Sequence, residues 1–387
     1  MKKMILAAAL LPLLSTAVFA ADLPNIKGPP AYAPPPPPSW TGFYLNAGVG
    51  YGEWSGSEKI VDPFTQQCTN CVNQIQGGRG FLGRVGAGFD YQFADRFVGG
   101  VFGDGTYSGM RGTLQDGDPY YSGSTNENWS WAAGARLGWL VAPKLLAYGN
   151  AGFTQTHFTS AAMQDSHDGS YTGFSTPGFT ANGWFVGAGF EEMFAPGWFW
   201  RTEYRFADYG ARTLVETSGN SVGNGIRFRP TVQTVTSGIV YKFGWPGMVP
   251  PGIPPVATLF SGFGSAETSA SNWTGLYADA GIGYGMWSAN TTILDSATGF
   301  CDLCNNQRQG GRGVAGTIGV GYDYQLTSKI VAGVFGDFDP TGIKGTIQDQ
   351  NPITAGNINE NWSWAAGARL GWLVTPRILT YTEAGFT

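Results

Sequence analysis

Between Trp40 and Phe243, apolar residues alternate with small or polar ones at a period of two, which fits an extended strand and not a helix. In the segment Trp40–Glu53, Phe43, Leu45, Ala47, Val49 and Tyr51 share one face, and Tyr44, Asn46, Gly48 and Gly50 share the other. The segment Phe81–Phe93 repeats the rule, with Val85, Ala87, Phe89, Tyr91 and Phe93 outward and Arg84, Gly86, Gly88 and Asp90 inward. Six further segments follow: Phe97–Tyr107, Asn128–Val141, Leu145–Phe158, Asn182–Phe194, Trp198–Tyr209 and Thr231–Phe243. Each can supply the roughly 9 to 11 residues that a tilted membrane strand needs. Their connections alternate in length. Ala94-Asp95-Arg96, Ala142-Pro143-Lys144 and Ala195-Pro196-Gly197 are tight turns, whereas 55–79, 109–127, 159–181 and 210–229 read as long, polar, glycine-rich loops. Short turns at one end and long loops at the other are the pattern of an outer-membrane barrel. A soluble sandwich would show a charged outer face, but here charges sit singly among glycines. The expected fold is all-β: a transmembrane, antiparallel, up-and-down eight-stranded β-barrel, with aromatic residues marking one membrane edge.

Composition agrees and excludes other classes. Glycine supplies 60 of 387 residues, aromatics 14% and charged residues only 13%. A net charge of −5 without a basic run argues against nucleic acid as a partner. The only long apolar run is N-terminal, which excludes a helical membrane bundle. That run reads as a signal peptide over residues 1–20: Lys2 and Lys3, an apolar stretch Met4 to Leu14, then Val18-Phe19-Ala20 for cleavage. Its removal leaves 20 Lys+Arg against 27 Asp+Glu, a net charge of −7. Residues 21–39 form a proline-rich spacer, extended by Pro34 through Pro38. A second proline- and glycine-rich linker covers 244–271.

Beyond the linker the first unit recurs. WTGFYLNAGVGYGEW from Trp40 realigns with WTGLYADAGIGYGMW from Trp273, and 273 − 40 gives an offset of 233. NENWSWAAGARLGWLV occurs identically from Asn126 and from Asn359, at the same offset. The offset never drifts, and it maps Thr387 onto Thr154. Residues 272–387 are therefore expected to form an incomplete second copy of about four and a half strands. Such a copy cannot close, and open edges in lipid leave backbone groups unsatisfied. The reading predicts a fragment of a longer product, about 476 residues if the second copy matched the first. A single larger barrel shared by both copies fits the proline-rich linker poorly.

The parity of the strands sends Arg84, Asp90, Asp104, Arg136, Glu191, Arg201, Glu203 and Arg205 into the lumen. An eight-stranded barrel is just wide enough for side chains to fill, so mixed charges are expected to pair into a plug; charges lining a narrow solute path are the alternative. Two CxxC pairs, Cys68 with Cys71 and Cys301 with Cys304, fall in the long loop after the first strand of each copy. No thioredoxin-like helix or four-ligand zinc set accompanies them, which favours loop disulfides. GRVGAG at Gly83 lies within a strand with no helix following, so it carries no nucleotide signal. The two histidines are His157 and His167; His167 and Asp168 have Ser166 and Ser170 nearby, a cluster typical of loop composition. A triad draws on distant segments, so no enzyme, catalytic residue, cofactor or metal site is expected.

These residues carry a family resemblance. The mature start ADLP, the proline spacer, SWTGFYLNAGVGYG, VFGD at Val101 to Asp104 and the closing TSGIVYKF resemble the porin-like outer-membrane immunogenic proteins of alpha-proteobacteria, in tandem form. These in turn resemble the OmpA transmembrane domain, a single eight-stranded barrel. The resemblance implies that Ile239, Tyr241 and Phe243 form a barrel-closing strand bearing the outer-membrane assembly signal, which Ala384-Gly385-Phe386-Thr387 does not match. The expected function is a non-enzymatic outer-membrane protein of a Gram-negative cell, a structural surface antigen that supports envelope integrity. A small porin-like channel and surface-loop binding of a host factor or of a ligand such as haem are the alternatives. Expected partners are outer-membrane lipids, lipopolysaccharide and the assembly machinery, with a host or phage surface ligand open.

Overall fold

The computed structural model describes residues 39–116, 121–165, 167–244, 272–348 and 355–387, without the side chains of 72, 302–306 and 348. The expected signal peptide, nearly all of the expected proline spacer and the expected linker from 245 onward lie outside the described residues. The described residues form sixteen antiparallel strands.

Eight strands close on themselves: β1 (Gly42–Val61), β2 (Cys68–Ala94), β3 (Phe97–Gln115), β4 (Tyr121–Ala142), β5 (Leu145–Phe158), β8 (Phe179–Ala195), β9 (Trp198–Tyr209) and β11 (Ser221–Lys242). Each pairs with the next, and β11 returns to β1 over Tyr44↔Lys242 to Val61↔Gly225. Over the lipid-facing band closure leaves no edge among these strands, which lipid requires because it cannot hydrogen-bond a free backbone. Outward apolar side chains are exposed as the period-two rule requires: Phe43, Leu45, Val49 and Tyr51 on β1, Val85, Tyr91 and Phe93 on β2. Aromatics stand at both ends of this band and not at one: Phe43, Phe93, Phe97, Trp139 and Phe243 toward the tight turns, Tyr51, Phe81, Tyr107, Trp131 and Trp184 toward the loops. Two such girdles bound the lipid-facing zone of a membrane barrel.

The expected long loops are largely strand. β1 and β2 continue beyond the lipid-facing band and leave only 62–67 between them. The third expected loop folds as β6 (Ala161–Asp165) and β7 (Tyr171–Thr176), and the fourth supplies β10 (Arg212–Ser218). Here β4 pairs with β6, β6 with β7, β7 with β10 and β10 with β11, so these strands take over from β5, β8 and β9. Burial drives the extension. Ile60, Leu114, Met163, Leu214, Ile226 and Phe228 point inward from the extended strands and pack with Trp54, Met110 and Phe158 into a core above the membrane zone.

The second repeat gives β12 (Gly275–Leu294), β13 (Cys301–Gln325), β14 (Ile330–Gln348), β15 (Ala355–Thr375) and β16 (Ile378–Phe386). Gly275, Cys301, Ile330 and Ile378, which open β12, β13, β14 and β16, are the repeat counterparts of Gly42, Cys68, Phe97 and Leu145, which open β1, β2, β3 and β5. Among the described residues, β12 pairs β13 alone and β16 pairs β15 alone, so this sheet is open.

Candidate functional site in the barrel lumen

Three layers fill the lumen of the closed barrel. At the turn end, Trp40, Tyr44, Val98, Leu146, Phe199 and Val240 form an apolar cluster. Trp40 is fully buried, 4.9 Å from the Phe199 ring, and its Nε1 donates to the Pro143 carbonyl at 3.3 Å. At the loop end, the Trp54, Phe158 and Phe228 rings meet edge to face at 5.6–5.8 Å, the favoured aromatic geometry. Charge lies between them.

The charged layer has two tiers. In the lower one, Arg136 on β4 reaches Asp90 on β2 at 2.5 Å and Glu191 on β8 at 3.0 Å. Arg201 on β9 donates to Glu191 at 2.7 Å. Lys242, the last residue of β11, lies 2.6 Å from Asp90 and 3.2 Å from Glu191. Tyr44 and Tyr148 hold the arginines between them: Arg136 sits 4.7 and 5.0 Å from the two rings, Arg201 4.8 and 5.9 Å. In the upper tier, Arg84 meets Glu203 at 3.0 Å and Asp104 at 3.8 Å, while Arg205 reaches both carboxylates at 2.6 Å. Arg84 also donates to Thr106 and Thr234 at 3.1 Å, and Tyr148 and Asn150 donate to Glu203 at 2.8 Å. Tyr148 therefore belongs to both tiers, its ring on the lower arginines and its hydroxyl on the upper carboxylate.

Small residues make the space. A Cβ on Gly88 would sit 2.5 Å from the Tyr44 ring, and one on Gly100 would sit 2.3 Å from the Asp90 carboxylate. A void of about 30 Å³ lies in this layer, lined by Arg84, Asp104, Glu127, Thr154 and Tyr209. That is room for roughly one or two waters, far from a continuous path.

The structure thus brings all eight expected lumen residues into two paired tiers, and adds Lys242, which sequence reasoning left out. Parity was the available signal: with Ile239, Tyr241 and Phe243 outward, Lys242 must face in. A second omission has a different cause. Glu127 is buried and accepts hydrogen bonds from Thr156 at 2.8 Å and from Ser108. Register shifts between Tyr107 and Met110 and between Glu127 and Trp129 mark bulges, which turn Glu127 inward although it shares sequence parity with the outward Trp129 and Trp131.

Other expected residues lie elsewhere. Cys68 and Cys71 are bridged, but at the start of β2 and not within a loop, because β2 continues up to Cys68. Cys301 is also disulfide-bonded, while the side chain of Cys304 lies outside the described residues. His157 stacks on Trp129 and sits 2.8 Å from Asn128 at the outer face. His167 meets Asp165 at 2.9 Å in the β6–β7 turn, and Asp168 accepts from the Ser170 amide; Ser166 lies outside the described residues. Ile239 and Phe243 are exposed on the lipid-facing side, with Tyr241 packed between Trp198 and Phe243.

A closed eight-stranded barrel with two aromatic girdles, a lipid-facing apolar band and a paired polar interior defines an integral outer-membrane protein. The chain belongs to the outer membrane protein beta-barrel domain family, whose model matches residues 6–243. Its relatives include the 31 kDa outer-membrane immunogenic protein of Brucella melitensis, 28% identical over 249 residues, covering 62% of this chain and 100% of the relative. The 25 kDa outer-membrane immunogenic protein of Brucella abortus is 29% identical over 242 residues, covering 62% and 96%. Similar solved structures include the outer membrane protein OprG of Pseudomonas aeruginosa, with TM-score 0.33, 15% identity and coverage of 52% and 96%. Neisserial surface protein A matches with TM-score 0.28, 16% identity and coverage of 52% and 98%.

Proposed function

We propose that this protein is a non-conducting structural barrel of the cell outer membrane, which stiffens the envelope and presents an extended, strand-built surface outside it. The observation that carries this reading is the filling of the lumen: an apolar floor, two tiers of ion pairs and an aromatic roof, with about 30 Å³ between the upper tier and the roof. Nine lumen charges that pair across the barrel cross-link β2, β3, β4, β8, β9 and β11. Such pairing meets the requirement that buried charge be compensated and leaves none of these nine charges free to line a path. The immunogenic character named in the Brucella relatives agrees with a part exposed at the cell surface. The test is a deletion strain complemented with the full chain. Loss should sensitise cells to detergent without slowing small-solute uptake, and the β10–β11 turn at Gly219 should be cleavable by protease on intact cells. Slowed solute uptake with unchanged detergent resistance would overturn the proposal.

A further inference from the structure

The upper part of the barrel is open at one seam. β2 and β3 stay paired up to Gly78↔Gly112 and then separate, leaving 74–77 of β2 without a β3 partner. The second repeat separates at the equivalent place, after Gly311↔Gly345 of β13 and β14. The two open seams face one another, and Gln76 of β2 pairs antiparallel with Gln309 of β13. These two glutamines occupy the same position in their repeats, each the counterpart of the other.

Two pairs of hydrogen bonds at this seam are mated in this way, while Arg312 donates in addition to Thr231 Oγ1 at 2.7 Å and to Ser57 Oγ at 2.9 Å. The Arg79 guanidinium donates to the Ser288 carbonyl at 2.9 Å, and the equivalent Arg312 donates to the Ser55 carbonyl, the equivalent of Ser288, at 3.2 Å. The Ile75 amide donates to Thr346 Oγ1 at 2.8 Å, and the equivalent Arg308 amide donates to Thr113 Oγ1, the equivalent of Thr346, at 2.8 Å. Glycine lets the backbones meet: a Cβ on Gly77 would lie 2.9 Å from the Gln309 carbonyl, and one on its counterpart Gly310 would lie 2.8 Å from the Gln76 carbonyl. Reciprocal contact of one patch with its own copy is the mark of an isologous, two-fold interface.

We infer that the open β2–β3 seam is a self-complementary docking surface and that its occupant is the second repeat of the same chain, so that the tandem chain is a covalently tethered pseudo-symmetric pair. Backbone amides, threonine hydroxyls and arginine–carbonyl bonds carry the recognition, in the manner of strand addition at an exposed sheet edge. The seam lies beyond the lipid-facing band, where an unpaired β2 edge would otherwise invite unrelated strands. Arg79, Arg111 and Arg308 crowd the same place, so like charges oppose the docking that the hydrogen bonds favour.

Disulfide trapping in the full-length chain tests this. In a background with the native cysteines changed to serine and a protease site placed in the 245–271 linker, Gln76→Cys with Gln309→Cys should oxidise within one chain. The two halves then stay together after linker cleavage and part only on reduction. The control Val222→Cys with Gln309→Cys, from the β10–β11 hairpin, should give no such link. Adding Gly77→Leu to the trapping pair should abolish the link while the barrel stays heat-modifiable. A heat-modifiable chain that fails to cross-link, that cross-links equally in the control, or that links only between chains at double mass would overturn the inference.

Discussion

Glu191 is the residue on which the lower tier converges, since Arg136, Arg201 and Lys242 all address its two oxygens in a fully buried setting. Removing one partner of a buried ion pair leaves the other charge uncompensated, at a cost of about 3–5 kcal/mol. Glu191→Ala is therefore expected to destabilise the barrel by about that much, read as a lower denaturant midpoint in detergent micelles. Lys242→Met should cost less, because Arg136 still holds both Asp90 and Glu191. Equal losses would contradict this ranking. Most of these charges were legible because strand parity alone decides which side chain faces in. Lys242 escaped because its neighbours drew the reading of that strand toward assembly. Glu127 escaped because a bulge inverts parity, and a bulge leaves no signal in the alternation of hydrophobicity.

At the scale of elements, the main departure from sequence is that loops proved to be strands. Outside the membrane zone the outward face meets water, so Ser57 and Lys59 replace apolar residues and the alternation disappears although the strand continues. The inward set, Glu58 and Ile60 on β1, keeps its burial requirement. This extension also holds carboxyls without ion pairs among the described residues: Glu58 and Glu216 are buried beside Asp116. Desolvation raises Glu58 well above the usual carboxyl range, and desolvation together with Asp116 pushes Glu216 up to about 9. A carboxyl with a raised folded-state pKa holds its proton in the folded form after the unfolded chain has lost it. Its stabilisation is fully present below about pH 4.5 and is lost as pH rises toward 9. The β10–β11 hairpin should therefore exchange its amides faster at pH 9 than at pH 6, beyond the intrinsic base catalysis of exchange. Glu216→Gln should flatten that dependence; an unchanged profile would contradict it.

For the whole molecule, closure of β11 on β1 settles the class of fold, and it follows from the sequence because eight alternating segments with short turns on one side have no other way to satisfy their edges in lipid. The constant repeat offset was equally legible, and the second repeat rebuilds part of the lower tier: Arg369 pairs with Asp323 and lies 3.7 Å from the Tyr277 ring and 4.8 Å from that of Tyr381, as Arg136 does with Asp90, Tyr44 and Tyr148. Beyond the expectation of paired charges, what the sequence could not supply is how the lumen is filled, with the pairs set in two tiers between an apolar floor and an aromatic roof, because that depends on ring and charge positions from eight strands at once. Planar-bilayer conductance of the purified full-length protein tests that filling most directly. No steady open steps are expected across the range of applied voltages. Sustained, uniform steps would mean that a continuous aqueous path runs through the charged tiers, contradicting a filled, non-conducting lumen.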